Sequence, residues 1–112
     1  MNIQIYYSRK CFDSQKAERY FKERKIKYQS IDILHYGLSK GEFQSVKQAV
    51  GLAAMINKQS KAYERCNMAY FGLGPNAEEA LQNNPEMYNT PIVRNGRQAT
   101  IGYCPEIWAN WV

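Results

Sequence analysis
Three cysteines and a single histidine are the side chains of this sequence best suited to nucleophilic or metal chemistry, and their spacing narrows the choice. Cys11, Cys66 and Cys104 form no C-x-x-C pair, and His35 has no second histidine to complete a ligand set, so no metal site is expected. An odd cysteine count also fits poorly with the disulfide framework of a small secreted domain. Thiol chemistry in a reducing compartment, or plain burial, is what remains. Cys11 is the strongest candidate, because it stands just ahead of an expected helix N-terminus. There the unsatisfied N–H groups and the helix dipole favour a thiolate. Arg9 and Lys10 add positive charge, while Asp13 opposes them unless its carboxylate is occupied as a cap. The competing reading is a loop cysteine that only packs, since free cysteines are often buried.

The elements that must hold Cys11 follow from pattern. Ile3 to Tyr7 reads as a strand, and Ser8 to Asp13 as a loop. Asp13 or Ser14 can cap a helix whose apolar positions Ala17, Tyr20 and Phe21 recur at helical spacing. Ile26 to Ile33 alternates as a half-buried strand, so strand, helix and strand make a βαβ unit with parallel strands. In the middle, Ser39-x-x-Glu42 is a capping box, continued by Phe43, Val46 and Val50. Short helical pieces follow over Leu52–Ile56, Lys61–Cys66 and Asn76–Gln82. Strand character returns at Pro91–Arg94, Asn95-Gly96 supplies a hairpin turn, and Ala99–Tyr103 is the partner strand. Pro105 opens a final helix carrying Ile107, Trp108 and Trp111 toward the core.

The order is that of an α/β, thioredoxin-like (glutaredoxin-like) mixed sheet with a helical insertion between strands two and three. Residues 1–36 and 88–112 would form the core and 37–87 the insertion of a single domain spanning 1–112. In that topology the third strand runs antiparallel to the first and the fourth parallel to it. Cys11, Pro91 and Cys104 then converge at one sheet edge. Arg94 and Arg97 lie at the opposite end, by the turn, and are poor site candidates.

Composition agrees. With 112 residues, 15 Lys+Arg against 10 Asp+Glu and a net charge of +5, the chain has room for one domain. A hydrophobic fraction of 45% with 13% aromatics excludes a disordered tail. The apolar run from Val50 to Ile56 is far short of the roughly 20 residues of a membrane span. Met1 to Ile5 already alternates like a strand, without a basic segment and apolar run before it, so a soluble, cytoplasmic domain is expected.

Cys11-Phe12-Asp13-Ser14 after an Ile-Tyr-Tyr strand resembles the arsenate reductase-related (ArsC/Spx) family of thioredoxin-fold proteins. The likeness continues through Ser60-Lys61-Ala62-Tyr63, then Asn84-Pro85, then Asn89-Thr90-Pro91-Ile92-Val93, and a strand ending near Cys104-Pro105. It covers essentially the whole chain. The resemblance implies that Cys11 is the nucleophile or redox thiol and that the Thr90-Pro91 bond is cis, setting backbone beside the thiol. Ser14 stands where some members carry a second cysteine, so a C-x-x-C switch is impossible here. The family's glutathione-dependent arsenate reductases hold the oxyanion with three arginines, which this chain lacks. It has Asn57-Lys58-Gln59-Ser60-Lys61 at the first position, Thr90 at the second and no arginine near Cys104-Pro105. Lys58 or Lys61 could supply one charge, but lysine is not a bidentate clamp. Tyr7 replaces a family histidine in the strand-one loop, and Ala17 excludes a Cys-x5-Arg phosphatase loop.

Two functions are therefore expected to compete. The first is a thiol oxidoreductase in which Cys11 attacks an electrophile or forms a mixed disulfide with a small thiol or disulfide partner, with glutathione as thiol donor, or Cys104, resolving the adduct. No bound cofactor is implied, and arsenate would be a poor substrate. Cys104 reads more readily as a small residue filling space ahead of Pro105. The second is a binding module like Spx, which regulates transcription through RNA polymerase. The charge of +5 permits an acidic partner without demanding one. Lys16, Arg19, Lys22, Arg24, Lys25 and Lys27 read as a solvated helix face opposite Ala17, Tyr20 and Phe21. No nucleic-acid motif interleaves aromatics with that charge. His35 reads as a loop residue, Cys66 as core, Tyr6, Tyr20 and Tyr28 as core-like, and Gly72-x-Gly74 as a turn.

Overall fold
The computed structural model describes residues 2–111; Met1, the first residue of the alternation noted above, lies outside them. Four strands form one sheet in the order β2-β1-β3-β4, from β1 (Ile3–Tyr7), β2 (Tyr28–Asp32), β3 (Ile92–Asn95) and β4 (Gln98–Ile101). β1 and β2 are parallel, while β3 is antiparallel to both β1 and β4. The topology is the thioredoxin-like mixed sheet that the element order implied. The pairing of Tyr6 with Ile92, and of Ile92 with Ile101, brings the end of β1, the start of β3 and the end of β4 to one edge.

Period-two alternation sends the strands' side chains to two separate cores. Ile3, Ile5 and Val93 face one side, where they meet Ala17, Tyr20 and Phe21 of α1 (Phe12–Glu23) and Trp108 of α8 (Pro105–Ala109). Tyr6 and Ile92 face the other side, against the helical insertion. That layer comprises α2 (Ile33–Tyr36), α3 (Lys40–Val50), α4 (Leu52–Met55), α5 (Lys61–Arg65), α6 (Met68–Phe71), α7 (Pro75–Asn83) and a 3-10 turn over Pro85–Met87. Its buried centre is Phe43, Val46, Met55, Ala62, Leu81 and Met87.

Several boundaries differ from the pattern for identifiable reasons. β2 ends at Asp32 because its carboxylate accepts from the Leu34 N–H at 3.1 Å and starts α2, so Ile33 belongs to a helix. The capping box of α3 forms in full between Ser39 and Glu42. Gly96, with φ +62°, lets the β3–β4 hairpin close tightly. Ile107 is 46% exposed, not turned inward. A five-residue helix has one turn facing the sheet, and Trp108 fills it completely. Cys66 and Tyr28 are half-buried at the margins of the two cores. Among the described residues no helix is long and apolar enough to cross a membrane.

Candidate functional site
Cys11 is itself the N-cap of α1, with extended backbone (φ −100°, ψ 113°), and neither Asp13 nor Ser14 caps the helix. The Cys11 N–H donates to the Ser8 carbonyl at 3.0 Å, which folds the β1–α1 loop and fixes the approach to the helix. Ser14 is buried because the helix turns it inward beneath that loop. Its hydroxyl oxygen accepts from the Ser8 N–H at 3.3 Å. The hydroxyl proton therefore remains free to point at sulfur.

Across the loop, the Thr90-Pro91 bond is cis, and the Cys11 thiol donates to the Thr90 carbonyl at 3.3 Å. Burial alone would push the Cys11 thiol up. The Ser14 hydroxyl, the Thr90 side chain and the backbone amides of Ser14 and Asp13 outweigh it, and the thiol is held below its ordinary value. A thiol so placed is both more ionised near neutrality and within reach of solvent, the two conditions for a reactive cysteine.

The sulfur faces a cleft of about 490 Å³. Ser8 and Lys10 of the β1–α1 loop and Ile33 and Leu34 of α2 form one side. Asn57 follows α4, and Pro85, Glu86, Tyr88, Asn89 and Thr90 lead into β3 and close the other side. Asn89 fixes this second wall: its amide donates to the Ala54 and Ile56 carbonyls at 2.9 and 3.0 Å. Phe12 and Leu34 stand exposed at 78% and 49%, giving apolar surface at or beside the thiol.

The structure thus brings together Cys11, Ser14, Lys10 and Thr90-Pro91. It leaves other expected residues elsewhere. Arg9 is exposed, and neither it nor Lys61 is among the described lining of the cleft. Lys58 lines a different hollow, with Tyr63, Met68 and Leu73. Cys104 lies at the same sheet edge, as the N-cap of α8, and its thiol donates to the Ile101 carbonyl at 3.4 Å. Burial first, then the carboxylates of Glu106 and Asp13, push that thiol up against a smaller opposing contribution from Thr100. Arg94 is occupied: its guanidinium donates to Gln4 and the Tyr6 hydroxyl at 2.9 and 3.2 Å and lies 3.8 Å from Glu42. Burial and the bond to Glu42 raise the Tyr6 phenol to about 12, consistent with a structural network. Sequence reasoning missed Glu86 and Leu34; residues 57–61 and the Asn84-Pro85 and Asn89-Thr90-Pro91 motifs pointed to that wall. Among the described residues no three His, Cys, Asp or Glu side chains gather to hold a metal.

Known proteins place this architecture. A family model described as the ArsC family matches residues 6–111. The chain is 25% identical over 104 residues to the global transcriptional regulator Spx of Listeria innocua, covering 90% of this chain and 79% of that one. The structure of an arsenate reductase from Vibrio cholerae matches with a TM-score of 0.86 and 26% identity, over 100% of this chain and 98% of that one. The glutaredoxin-like NrdH-redoxin of Escherichia coli shares the fold at a TM-score of 0.51 and 16% identity, over 100% of this chain and 96% of that one.

Proposed function
The chain belongs to the ArsC family, and from that premise we propose that it is a thiol oxidoreductase whose single reacting group is Cys11. The observation that carries this reading is the set of donors around the Cys11 sulfur, which lowers the thiol's pKa at the mouth of a cleft. The Cys11 thiolate attacks one sulfur of a small disulfide. A Cys11–sulfur bond forms, the substrate S–S bond breaks, and the departing thiolate takes up a proton. Glutathione then attacks the substrate-derived sulfur, forming a glutathione–substrate disulfide and returning Cys11 as thiolate. Cys104 attacking the Cys11 sulfur would instead release the substrate thiolate and leave a Cys11–Cys104 disulfide for glutathione to reduce. Glutathione is the better candidate, because the Cys104 thiol is pushed up and bonded to its own turn. Arsenate is disfavoured as substrate: the described lining of the cleft carries Lys10 and no arginine.

The test is alkylation of Cys11 against pH, read by peptide mass, beside a glutathione-coupled reduction of hydroxyethyl disulfide. A Cys11 pKa below that of a free thiol and turnover lost in Cys11→Ser are expected. A raised Cys11 pKa, or turnover that survives Cys11→Ser, would overturn the reading.

A binding role of the Spx kind is the second reading, favoured by the Listeria regulators and by the exposed Phe12 and Leu34 near the thiol. Capture of purified RNA polymerase by the immobilised protein, lost in Phe12→Ala with reductase turnover absent, would favour it over catalysis.

A further inference from the structure
The cleft beside Cys11 carries opposite charges on its two walls. Lys10 lines it from the β1–α1 loop and Glu86 from the 3-10 turn ahead of β3. Glu86 also engages the arginine of the adjoining helix: Arg65 Nη2 of α5 donates to Glu86 Oε1 at 2.5 Å and to the Asn84 side-chain oxygen at 3.3 Å. Its own backbone amide, and then the Arg65 guanidinium, hold the Glu86 carboxyl below the usual carboxylate range, so it is charged at neutral pH. Two consequences follow for any molecule entering the cleft. A fixed carboxylate faces it from the same wall as Tyr88 and Asn89. The nearby arginine, which would otherwise attract an anion, directs its Nη2 at Glu86 and Asn84.

We propose that Glu86, with Arg65 drawn onto it, offsets Lys10 and lowers the preference of the Cys11 cleft for anionic over cationic disulfides. This deepens the oxidoreductase reading above and rests on it. The chemical step is the same exchange: the Cys11 thiolate displaces one thiolate of the incoming disulfide, which is the oxidant, and the displaced thiolate is protonated. Glu86 touches none of the reacting atoms. It alters the free energy of bringing a charged molecule to the sulfur, an effect that weakens with added salt.

The experiment uses three disulfides of different charge: cystamine (dicationic), hydroxyethyl disulfide (uncharged) and dithiodipropionate (dianionic). The rate of Cys11 adduct formation with each is read by peptide mass at low and high salt. The dianion-to-dication rate ratio of the wild-type protein is the reference. Glu86→Gln removes the carboxylate and releases Arg65, so the dianion-to-dication rate ratio should rise by about threefold to tenfold, the size expected of one charge a few ångströms away in a wet site. Arg65→Gln leaves Glu86 uncompensated and should move the ratio in the opposite direction. Hydroxyethyl disulfide should keep its rate in both variants, which separates a charge effect from disturbed packing. High salt should shrink both changes. Absence of a Cys11 adduct with any probe would overturn the oxidoreductase reading and this one with it. Adducts with all three whose ratio ignores residues 65 and 86 would overturn this inference alone.

Discussion

Cys11 and Cys104 occupy matching stations in the fold. Each is the N-cap of a helix, each is half-buried, and both sit at the edge where β1 and β4 end and β3 begins. Yet one thiol is held below its ordinary value and the other above it. A helix N-terminus therefore does not by itself set the acidity of a cysteine placed there. Cys11 heads a twelve-residue helix, and the nearby Ser14 hydroxyl and the backbone amides of Ser14 and Asp13 favour its thiolate. Both thiols donate to a backbone carbonyl, but Cys104 heads only five residues and sees the carboxylates of Glu106 and Asp13. Asp13 is the instructive residue, because it serves both: its amide helps Cys11 while its carboxylate opposes Cys104.

The largest way to break this comparison is to remove what holds the two helices on one face of the sheet. Trp108 of α8 packs edge-on against Tyr20 of α1 with ring centroids 5.1 Å apart, and lies at the same distance from Phe21. Its Nε1–H donates to the buried Thr100 hydroxyl at 2.8 Å. Trp108→Ala empties a fully buried site and should cost about 3–5 kcal/mol in urea unfolding. If α1 and α8 instead fold independently, the loss will stay near that of a surface substitution.

A smaller change isolates the sulfur itself. Ser14→Ala removes the Cys11 hydroxyl donor and leaves the Ser8 N–H without its acceptor. The Cys11 pKa should rise, and alkylation below neutral pH should slow by about fivefold to tenfold, the lower range for a hydrogen bond to a charged group in a partly solvated site. Cys104 alkylation in the same sample should not change, which makes it an internal control. Equal slowing of both thiols would show that Ser14 supports the edge as a whole rather than the Cys11 sulfur.

Much of this frame was legible in the residues, and what was hidden has common causes. The alternation of Ile3 to Tyr7, the capping box at Ser39 and Glu42, and the Asn95-Gly96 turn are local signals, and all three formed. Ser14 stood out as a near-site residue three places after Cys11, but the direction of its hydroxyl was not legible, because capping preference assigns a serine there to the helix end. Tertiary packing instead turns it beneath Ser8. Glu86 gave no signal, being an exposed residue outside any periodic element. Only the 3-10 turn over Pro85–Met87 and the bond to Arg65 place it on the cleft wall. Lys58 shows the converse error: nearness in sequence to a motif suggested a site that the insertion's own folding turns elsewhere.

The smallest effect tests the comparison through stability. For Cys11 the folded-state pKa lies below the unfolded value, so between the two the unfolded chain binds more protons, and stability rises with pH. That contribution is fully present above the unfolded thiol value, about 8.5, and is lost as pH falls through the folded one. For Cys104 the folded value lies above the unfolded one. The folded chain then keeps a proton that the unfolded chain releases, and stability is lost as pH rises through the folded value. The two thiols oppose each other in the wild-type protein, and single substitutions separate them. Cys104→Ser keeps the Cys11 contribution, and Cys11→Ser keeps that of Cys104. Urea unfolding of both variants from about pH 7 to 10 shares every other titration, so their difference reports the thiols alone. The Cys104→Ser protein should gain on the Cys11→Ser protein as pH rises through this window. Parallel curves would mean that both sulfurs are solvated alike when folded, and that neighbouring donors and carboxylates do not distinguish them.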